Sequence, residues 1–498
     1  MPTAVAANLL TQVESFLGEG PHKGFIGGQW VESADGATLA THDPGSGDKL
    51  ADVANMQGED VDRAVDAAAD AFDQPYWAKL PQNERSVLLH RLADAVEKQQ
   101  PIISQIESLD CGKILSQAES DVQNFIDTMR YFADLALHVQ HRTALPAKGH
   151  EAFSVRLPWG TCAFIIPWNF PFVLLGWGLG PSLAAGNTVV VKPAEDTPLS
   201  TLYLARLAQE VGIPDGVINI VPGSGEIAGA ALASSTKIKR MAFTGSPEVG
   251  RDIAAKCGQN LVPVKLELGG KGAAVVFDDV DLCDTAEKLV AAITFHTGQV
   301  CCDATRWFIQ DKIYDKFVCE CVDRLKKVNI GHQMDDATQM GPVVNEKQRK
   351  RVLGYLEKGV AGGAEVVLEG GAAEVTGRDR GHYVKPALLA GSLDNVCAQE
   401  EIFGPVAYLA PFKTEEQAIE LTNRTDYGLG NSVWTPDLGK AHRVAEQMVA
   451  GNSWINGHNI VVHGVPYGGV NKSGMGGGVV SIETLLDYWR SLSVVRPL

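Results

Sequence analysis

Short apolar runs alternate with helical segments from about residue 159 onward, and this alternation limits the fold more than any other feature of the chain. Four runs are predicted to be buried strands, at residues 162–167, 187–193, 217–223 and 240–246, with helices at 199–211 and 226–233 between them. Strands that alternate with helices indicate crossover connections and therefore a parallel sheet. Ligands are expected at the carboxyl ends of such strands.

The same pattern restarts further along the chain. Residues 273–279 and 304–310 are predicted strands, and residues 281–296 between them are predicted to be helical. Residues 59–76 and 84–109 precede both units and have strongly helical patterns. We therefore predict an α/β protein with two parallel-sheet units.

Composition restricts the class of protein. The 498 residues are 45% hydrophobic, enough for a large core, and the net charge of -17 disfavours nucleic acid and anionic membranes as partners. The nine cysteines show no metal-site spacing, and their odd number argues against a disulfide framework. The N-terminus lacks the basic region of a secretory signal, and glycines and Pro181 interrupt the longest apolar tract. We expect a cytoplasmic protein that holds no metal.

The sequence FHTGQVCCDATR at residues 295–306 indicates covalent chemistry. Its adjacent thiols, Cys301 and Cys302, are candidate nucleophiles, and a thiol attacks as the thiolate. Glu267, in the upstream sequence KLELGGK, is a candidate base, and the segments PWNFP and VVVKPAEDTP complete the pattern. If the surrounding motif is disregarded, the alternative is that both cysteines are buried and unreactive.

In their order along the chain, the four motifs resemble those of the aldehyde dehydrogenase superfamily. The resemblance extends from about Phe25 to the C-terminus. It implies two Rossmann-like parallel-sheet domains and a small β arm for oligomerisation. The NAD-binding domain would comprise residues 1–137 and 157–267, the catalytic domain residues 268–478, and the arm residues 138–156 and 479–498. The family forms dimers, often doubled to tetramers, so a homo-oligomer is expected. On sequence alone both arm segments are equally compatible with surface connections.

The resemblance also implies a role for each catalytic candidate. Cys301, two residues after Gln299, would be the nucleophile, and Cys302 would line the substrate tunnel. The Asn169 side chain and the Cys301 N–H would stabilise the oxyanion, while Glu267 would activate the water that hydrolyses the thioester. Without the motif, Asn169 is compatible with a turn residue and Glu267 with a charge at a strand edge.

A nucleotide site is expected just beyond the predicted strand 187–193. Glu195 would accept hydrogen bonds from both ribose hydroxyls and repel a 2′-phosphate, which favours NAD over NADP. The alternative is that Lys192 and Glu195 are ordinary solvent-exposed charges that follow a strand. The glycine-rich turn at 221–229 is weak support, because the chain lacks a complete GxGxxG pattern. With the resemblance, the expected cofactor site comprises Ile166, Pro167, Trp168, Lys192, Glu195, Gly225, Gly229, Phe243, Gly245, Ser246, Leu268, Gly269, Gln348, Glu401 and Phe403.

The substrate tunnel implied by the resemblance is mostly apolar or aromatic. Its expected residues are Phe170, Leu174, Trp177, Phe295, Val300, Cys302, Val461 and Tyr467. Succinate-semialdehyde enzymes carry Arg at the position of Trp177, so a dicarboxylic semialdehyde is disfavoured. An aliphatic or aromatic aldehyde is expected, with a betaine-aldehyde-type or hydroxylated aldehyde as the alternative. We interpret His458 and His463, near the tunnel mouth, as solvent-facing.

The chain departs from the family pattern at two places. Gly477 and Gly478 stand where many members carry an Arg-Glu pair, and because that Glu is linked to proton transfer, its absence is expected to leave Glu267 more isolated. Asp303 replaces a small residue usual beyond the cysteines. Two other functions remain open. One is a CoA-acylating enzyme, disfavoured because such members generally lack the base, and the other is a catalytically silent structural protein.

Overall fold

The computed structural model describes residues 9–498. Residues 1–8, which belong to the predicted segment 1–137 and to the stretch tested for a secretory signal, lie outside the described residues. The α-helices are α1 (Thr11–Gly18), α2 (Gly58–Asp73), α3 (Gln82–Lys98), α4 (Gln100–Cys111), α5 (Leu115–His138), α6 (Pro171–Ala184), α7 (Leu199–Glu210), α8 (Ala230–Ser234), α9 (Pro247–Gln259), α10 (Leu282–Thr294), α11 (Tyr314–Leu325), α12 (Glu346–Ala361), α13 (Val396–Gln399), α14 (Glu415–Asn423), α15 (Leu438–Ala445) and α16 (Ile482–Asp487).

The strands belong to two large sheets and three small ones. They are β1 (Gly24–Ile26), β2 (Gln29–Val31), β3 (Thr38–His42), β4 (Lys49–Ala54), β5 (Arg142–Leu145), β6 (His150–Pro158), β7 (Thr161–Ile165), β8 (Thr188–Lys192), β9 (Ile218–Ile220), β10 (Arg240–Thr244), β11 (Val264–Glu267), β12 (Gly272–Val276), β13 (Ala304–Gln310), β14 (Glu365–Leu368), β15 (Gly371–Ala372), β16 (Val384–Lys385), β17 (Ala387–Ala390), β18 (Val406–Phe412), β19 (Gly430–Trp434), β20 (Asn452–Ile455), β21 (Gly474–Met475) and β22 (Trp489–Pro497).

The first large sheet has the strand order β2-β1-β9-β8-β7-β10-β11-β21. Its five central strands are parallel, and four of them, β7 to β10, are the strands predicted from the alternating pattern. Val189, Val190 and Val191 of β8 are fully buried, because apolar clusters pack against both faces of the sheet. The predicted α/β class is confirmed.

The second large sheet has the order β14-β17-β18-β13-β12-β19-β20 and is parallel except for β14 at its edge. The predicted strands 273–279 and 304–310 form β12 and β13, with α10 between them. The division drawn between residues 267 and 268 falls between β11 of the first sheet and β12 of the second. However, β21, assigned from sequence to the second unit, pairs with β11 of the first sheet.

A three-stranded sheet with the order β22-β6-β5 lies apart from both large sheets. The resemblance implied a small β arm at residues 138–156 and 479–498. In the structure the two segments pair with each other, since Trp489 to Pro497 lie opposite Pro158 to His150 in antiparallel register. The outer edges of β22 and β5 have no neighbouring strand among residues 9–498.

Two predicted helices have different boundaries in the structure. The segment 84–109 is divided into α3 and α4 at Gln99, because Pro101 in the first turn of α4 lacks the N–H that a continuous helix needs. The segment 226–233 is a π-helix at Gly225–Gly229 followed by α8.

Among the helices of residues 9–498, none is long and apolar enough to cross a membrane.

Candidate active site

A cavity of about 730 Å³ lies between the two large sheets, at the carboxyl ends of β7, β10 and β11. This is where ligands bind to parallel sheets. It is lined by most of the predicted site residues: Pro167, Trp168, Asn169, Phe170, Leu174, Trp177, Gly245, Ser246, Leu268, Gly269, Phe295, Val300, Cys301, Cys302, Gln348, Glu401, Phe403, Val461 and Tyr467. The predicted positions outside this lining are Ile166, Lys192, Glu195, Gly225, Gly229, Phe243 and Glu267.

The loop before the two cysteines is fixed by buried contacts. Gly298 has a φ of +69°, and a Cβ at this position would lie 2.3 Å from the carbonyl carbon of Gly404, so only glycine fits. The Gln299 side chain is fully buried; it donates a hydrogen bond to the His296 carbonyl at 3.0 Å and accepts one from the Val344 N–H at 2.9 Å. The Gly-Gln pair therefore holds the backbone that presents Cys301.

Cys301 and Cys302 differ in their acidity. The Cys301 sulfur lies 3.6 Å from the Tyr467 hydroxyl, and the Cys302 thiol can donate either to that sulfur or to Asn459 Oδ1 at 3.4 Å. Hydrogen bonds from Cys302 and, to a smaller extent, Tyr467 lower the pKa of Cys301 although burial raises it. The hydrogen bond to Cys301 and burial raise the pKa of Cys302 well above its usual value. Cys301 therefore ionises first, which favours it as the nucleophile.

Asn169 lies in the same part of the cavity. It stands just before α6, which begins at Pro171, a favourable residue for the first helical position. Its buried side chain donates one hydrogen bond, from Nδ2 to the Gln299 carbonyl at 3.0 Å. Because an amide nitrogen carries two hydrogens, a second donor remains for an oxyanion formed next to Cys301.

Glu267 is the last residue of β11 and is only 7% exposed. Neither carboxylate oxygen has a well-formed hydrogen bond among the described residues, and the Gly469 N–H stabilises the charge only slightly. Burial raises the pKa of Glu267 well above its usual value, although Lys265 opposes this. A carboxyl group tuned in this way is a stronger base than a solvated one.

Near Gly478 the carboxylate of Glu267 has an electrostatic neighbour, Lys265, although no hydrogen-bond partner among residues 9–498 replaces the missing side chain. Lys265, two residues earlier on β11, is buried, and its Nζ donates to the Gly478 carbonyl at 2.6 Å and pairs with Asp487 at 2.7 Å. Sequence reasoning missed Lys265. Its alternation with Glu267 in KLELGG was the available signal, because residues two apart in a strand share a face.

Lys192 and Glu195 form an ion pair at the end of β8. Lys192 is 2% exposed and donates to Glu195 Oε2 at 2.8 Å, while Glu195 Oε1 lies 3.4 Å from the Gly225 N–H. Partial burial raises the pKa of Glu195, but the Lys192 charge and the hydrogen bonds to the carboxylate together outweigh it, and the net shift is downward. Gly225 is exposed and a Cβ there would meet only Glu195 Oε1 at 3.9 Å, whereas Gly229 is buried against Ile165 and Lys192. A charged acceptor beside open backbone fits a ribose and its phosphates.

Two further parts of the expected cofactor site face the cavity. Glu401 accepts a hydrogen bond from the Gly270 N–H at 2.8 Å, and burial raises its pKa to about 7. Phe403 has a φ of +64°, its carbonyl accepts from Gln348 Nε2 at 2.6 Å, and its ring packs edge-on against Trp168 with centroids 5.2 Å apart. Ser246 caps α9 through the Val249 N–H.

Comparisons with known proteins agree with this geometry. The sequence profile of the aldehyde dehydrogenase family matches residues 30–494. The chain is 42% identical over 456 residues to retinaldehyde dehydrogenase 3 of Mus musculus, which covers 91% of this chain and 88% of the relative. This chain belongs to the aldehyde dehydrogenase family. The expectation drawn from the four motifs is confirmed.

Two other similar proteins are named for two different aldehyde substrates. The phenylacetaldehyde dehydrogenase of Pseudomonas fluorescens is 39% identical over 474 residues, 93% of this chain and 94% of the relative. The crystal structure of betaine aldehyde dehydrogenase from Staphylococcus aureus in complex with NAD+ superposes with a TM-score of 0.95 at 32% identity, covering 98% of this chain and 97% of that one.

The cavity of this family member is also lined by polar residues that sequence reasoning missed. Asn124 and Asn459 line the cavity together with its aromatic residues. Asn124 Oδ1 accepts a hydrogen bond from Trp177 Nε1 at 3.0 Å, which directs the amide nitrogen of Asn124 away from that bond. The other lining residues not predicted are Ser120, Asp121, Val173, Asp196, Thr244, Val344, Asn345, Lys347 and Arg351.

The interpretation of His458 and His463 as solvent-facing was wrong. Both rings are half-buried and hydrogen-bonded. His458 lies 2.8 Å from Ser432 Oγ and 2.8 Å from the Cys302 carbonyl, and burial lowers its pKa to about 4. His463 lies 2.8 Å from Thr128 Oγ1. The local sequence gave no sign of these contacts, because the partners are far away along the chain.

Proposed function

We propose that this chain catalyses the NAD-dependent, non-acylating oxidation of an aldehyde to its carboxylic acid. The observation that carries the proposal is the arrangement around Cys301, a thiol with a lowered pKa that shares its cavity with the Asn169 amide. Glu267, a buried carboxylate with a raised pKa, interacts electrostatically with the same thiol. These three groups correspond to the nucleophile, the oxyanion donor and the base that the reaction needs.

The first half of the reaction forms a covalent adduct. The Cys301 thiolate attacks the carbonyl carbon, and a negative charge develops on the aldehyde oxygen. The free N–H of Asn169 and the Cys301 backbone N–H stabilise that charge, each donor contributing about 3–4 kcal/mol in comparable sites. Adduct formation thus depends on groups already held in place by the Gln299 contacts.

Different parts of NAD would be held by different residues. Glu195 would bind the adenosine ribose, the open backbone at Gly225 the pyrophosphate, and Glu401 the nicotinamide ribose, with Phe403 and Trp168 beside the ring. When bound, NAD supplies the hydride acceptor that turns the covalent adduct into a thioester. The NAD+ complex of the betaine aldehyde relative supports this assignment.

The second half of the reaction hydrolyses the thioester. Glu267 takes a proton from water, and the resulting hydroxide displaces Cys301 from the acyl carbon. A base buried away from solvent is accessible to a water only when that water enters the cavity, so Glu267 acts on water next to the thioester. Its presence supports hydrolysis over transfer to CoA.

The substrate proposed is an aliphatic or aromatic aldehyde, because aromatic and aliphatic side chains dominate the tunnel around Phe170, Leu174 and Trp177. A betaine-aldehyde-type or hydroxylated aldehyde is the second candidate, and Asn124 and Asn459 favour the hydroxylated one because each can hydrogen-bond a remote polar group. The phenylacetaldehyde relative supports the aromatic class.

The test is an assay of NADH formation at 340 nm with phenylacetaldehyde, hexanal, glycolaldehyde and betaine aldehyde, each with and without CoA. We expect NADH with the apolar aldehydes, no dependence on CoA, and free acid as the product. NADH formation that requires CoA would identify an acylating enzyme. No NADH with any aldehyde would leave a structural protein as the better account.

We also propose that the chain forms a homodimer or homotetramer in the cytoplasm. The exposed strand β22 extends the arm sheet, and an open strand edge invites pairing with a second copy. All nine cysteines are free thiols, which fits a reducing compartment. Light scattering on the intact chain and on a chain ending before Ser491 tests the assembly. A monomeric, fully active intact enzyme would contradict it.

A further inference from the structure

The buried position of Glu267 raises the question of where its proton goes. In each turnover Glu267 takes one proton from water and must return it to solvent before the next. Its carboxylate has no well-formed hydrogen bond among residues 9–498 and is not in contact with bulk solvent. A proton path therefore has to begin at a neighbouring group that can both accept and release a proton.

Lys265 is the ionisable group best placed to begin such a path. It alternates with Glu267 along β11, so the two side chains leave the same face of the strand. Lys265 is 2% exposed and has two partners, the Gly478 carbonyl at 2.6 Å and Asp487 Oδ2 at 2.7 Å.

Two glycines lie next to the carboxylate and the ammonium group, Gly468 beside Glu267 and Gly478 beside Lys265. A Cβ on Gly468 would lie 3.1 Å from Glu267 Oε1 and 2.8 Å from the Cα of Gly478. Gly478 in turn bears the carbonyl that accepts the Lys265 hydrogen bond. Because neither glycine has a side chain, Glu267 and Lys265 approach the same stretch of backbone from two sides.

Asp487 connects Lys265 to the surface. It is the last residue of α16, and its side chain is 36% exposed. Its carboxylate also lies 3.4 Å from an Arg240 guanidinium nitrogen. The charged and titratable groups that face this path are therefore Glu267, Lys265, Asp487 and Arg240, with Cys301 close enough to affect Glu267.

We propose that Lys265 and Asp487 form the proton exit for Glu267, an inference that rests on the function proposed above. The Lys265 ammonium releases a proton to Asp487, which passes it to solvent, and the neutral amine then takes the proton from protonated Glu267 through a water between them, because the two side chains are not within ion-pair distance of each other. One N–H bond of Lys265 breaks as Asp487 gains and then loses a proton, and it forms again as the O–H bond of Glu267 breaks. No electrons change hands, and the net result is one proton delivered to water.

The electrostatics agree with this geometry. Burial lowers the pKa of Lys265, which brings its neutral form within reach, while the charge of Asp487 limits the shift. Burial raises the pKa of Glu267 at the other end. The two shifts bring the proton affinities of the carboxylate and the amine closer together, as a transfer between them requires.

The test compares Lys265→Met, Lys265→Arg and Asp487→Asn with Lys472→Met, which removes an exposed lysine paired with Asp426. Arg keeps the positive charge but does not release a proton. We expect acyl-enzyme hydrolysis to slow by about ten- to a hundredfold in both Lys265 variants, and by less in Asp487→Asn, because a positioned proton-transfer group contributes in this range. Lys472→Met should match the unmodified enzyme.

Two readouts separate the steps. Pre-steady-state NADH bursts report adduct formation and should keep their amplitude, while intact-mass spectrometry should show the Cys301 thioester accumulating in the Lys265 variants. Full hydrolysis in Lys265→Arg would overturn the proposal, since Lys265 would then act only as a charge. Unchanged hydrolysis in Lys265→Met would overturn it too. If the unmodified enzyme forms no NADH with any aldehyde, the proposed function fails, and the proton exit fails with it.

Discussion

Cys301 and Glu267 are both buried and ionisable, yet their surroundings shift their proton affinities in opposite ways. Cys301 has hydrogen-bond donors at its sulfur, from Cys302 and Tyr467, and these lower its pKa despite burial. Glu267 has no comparable donor, and the Lys265 charge does not offset burial, so its pKa rises. Burial acts alike on both groups, and the donors decide the result.

This difference matches what each group must do. A nucleophile has to be charged before it meets the carbonyl, so donors that stabilise the thiolate assist it. A base has to hold a proton firmly enough to remove it from water, so donors to the carboxylate would weaken it. The contrast predicts that changes at the two residues affect different steps of the reaction.

The largest expected effect is that of Cys301→Ala. NADH formation should fall by about 10⁴-fold or more, because the covalent step is lost, while NAD binding measured by calorimetry stays intact. Cys302→Ala is the matched control. It should alter substrate preference, lower turnover only modestly and move the acid limb of the pH–rate profile upward, since a donor to the thiolate is lost. If Cys302→Ala is the inactive variant, the nucleophile has been misassigned.

The next effect is that of Glu267→Gln. Turnover should fall by about 10²- to 10⁴-fold, the usual contribution of a general base, but a burst of one NADH per site should remain. The control is added hydroxylamine, which cleaves a thioester without a base and should restore turnover. A variant that lacks the burst would show that Glu267 serves adduct formation, and the contrast with Cys301 would be lost.

Much of the fold, and the residues that this comparison concerns, could be predicted from the sequence. The βα alternation identified the parallel strands, and the motifs around Cys301, Glu267 and Asn169 identified residues that the structure brings to one end of the first sheet. Such motifs are informative because each lies at or next to the end of a strand or helix, where the backbone fixes the position of the side chain.

The groups that tune these residues could not be predicted, because they act across long sequence separations. Asn459 reaches Cys302 from a distant loop, and Lys265 gains its role only because Asp487 in the C-terminal helix lies beside it. His458 was misinterpreted for the same reason. Pairing of β22 with β6 likewise joins segments more than three hundred residues apart.

A smaller effect is expected for Tyr467→Phe, which tests the donor side of the comparison. Without the hydroxyl, the Cys301 thiolate loses one hydrogen bond, so its pKa rises and the acid limb of kcat/KM moves to higher pH. The loss at the acid end should be about two- to tenfold, the value of one hydrogen bond, and should vanish at high pH. An unchanged acid limb, measured with phenylacetaldehyde from pH 5 to 10, would assign the low pKa to Cys302 alone.

The smallest effect is expected for Glu195→Gln, which changes a site away from both groups. Removing the negative charge should improve the use of NADP, because a 2′-phosphate is no longer repelled, and should weaken NAD binding by about fivefold, as the carboxylate is partly exposed. The burst amplitude with saturating NAD should stay unchanged, and so should the acid limb of the pH profile of kcat/KM. Steady-state kinetics with both dinucleotides measure the preference. Equal use of NAD and NADP by the unmodified enzyme would contradict the role of Glu195, and a shifted acid limb would mean that the cofactor site and the thiol are coupled.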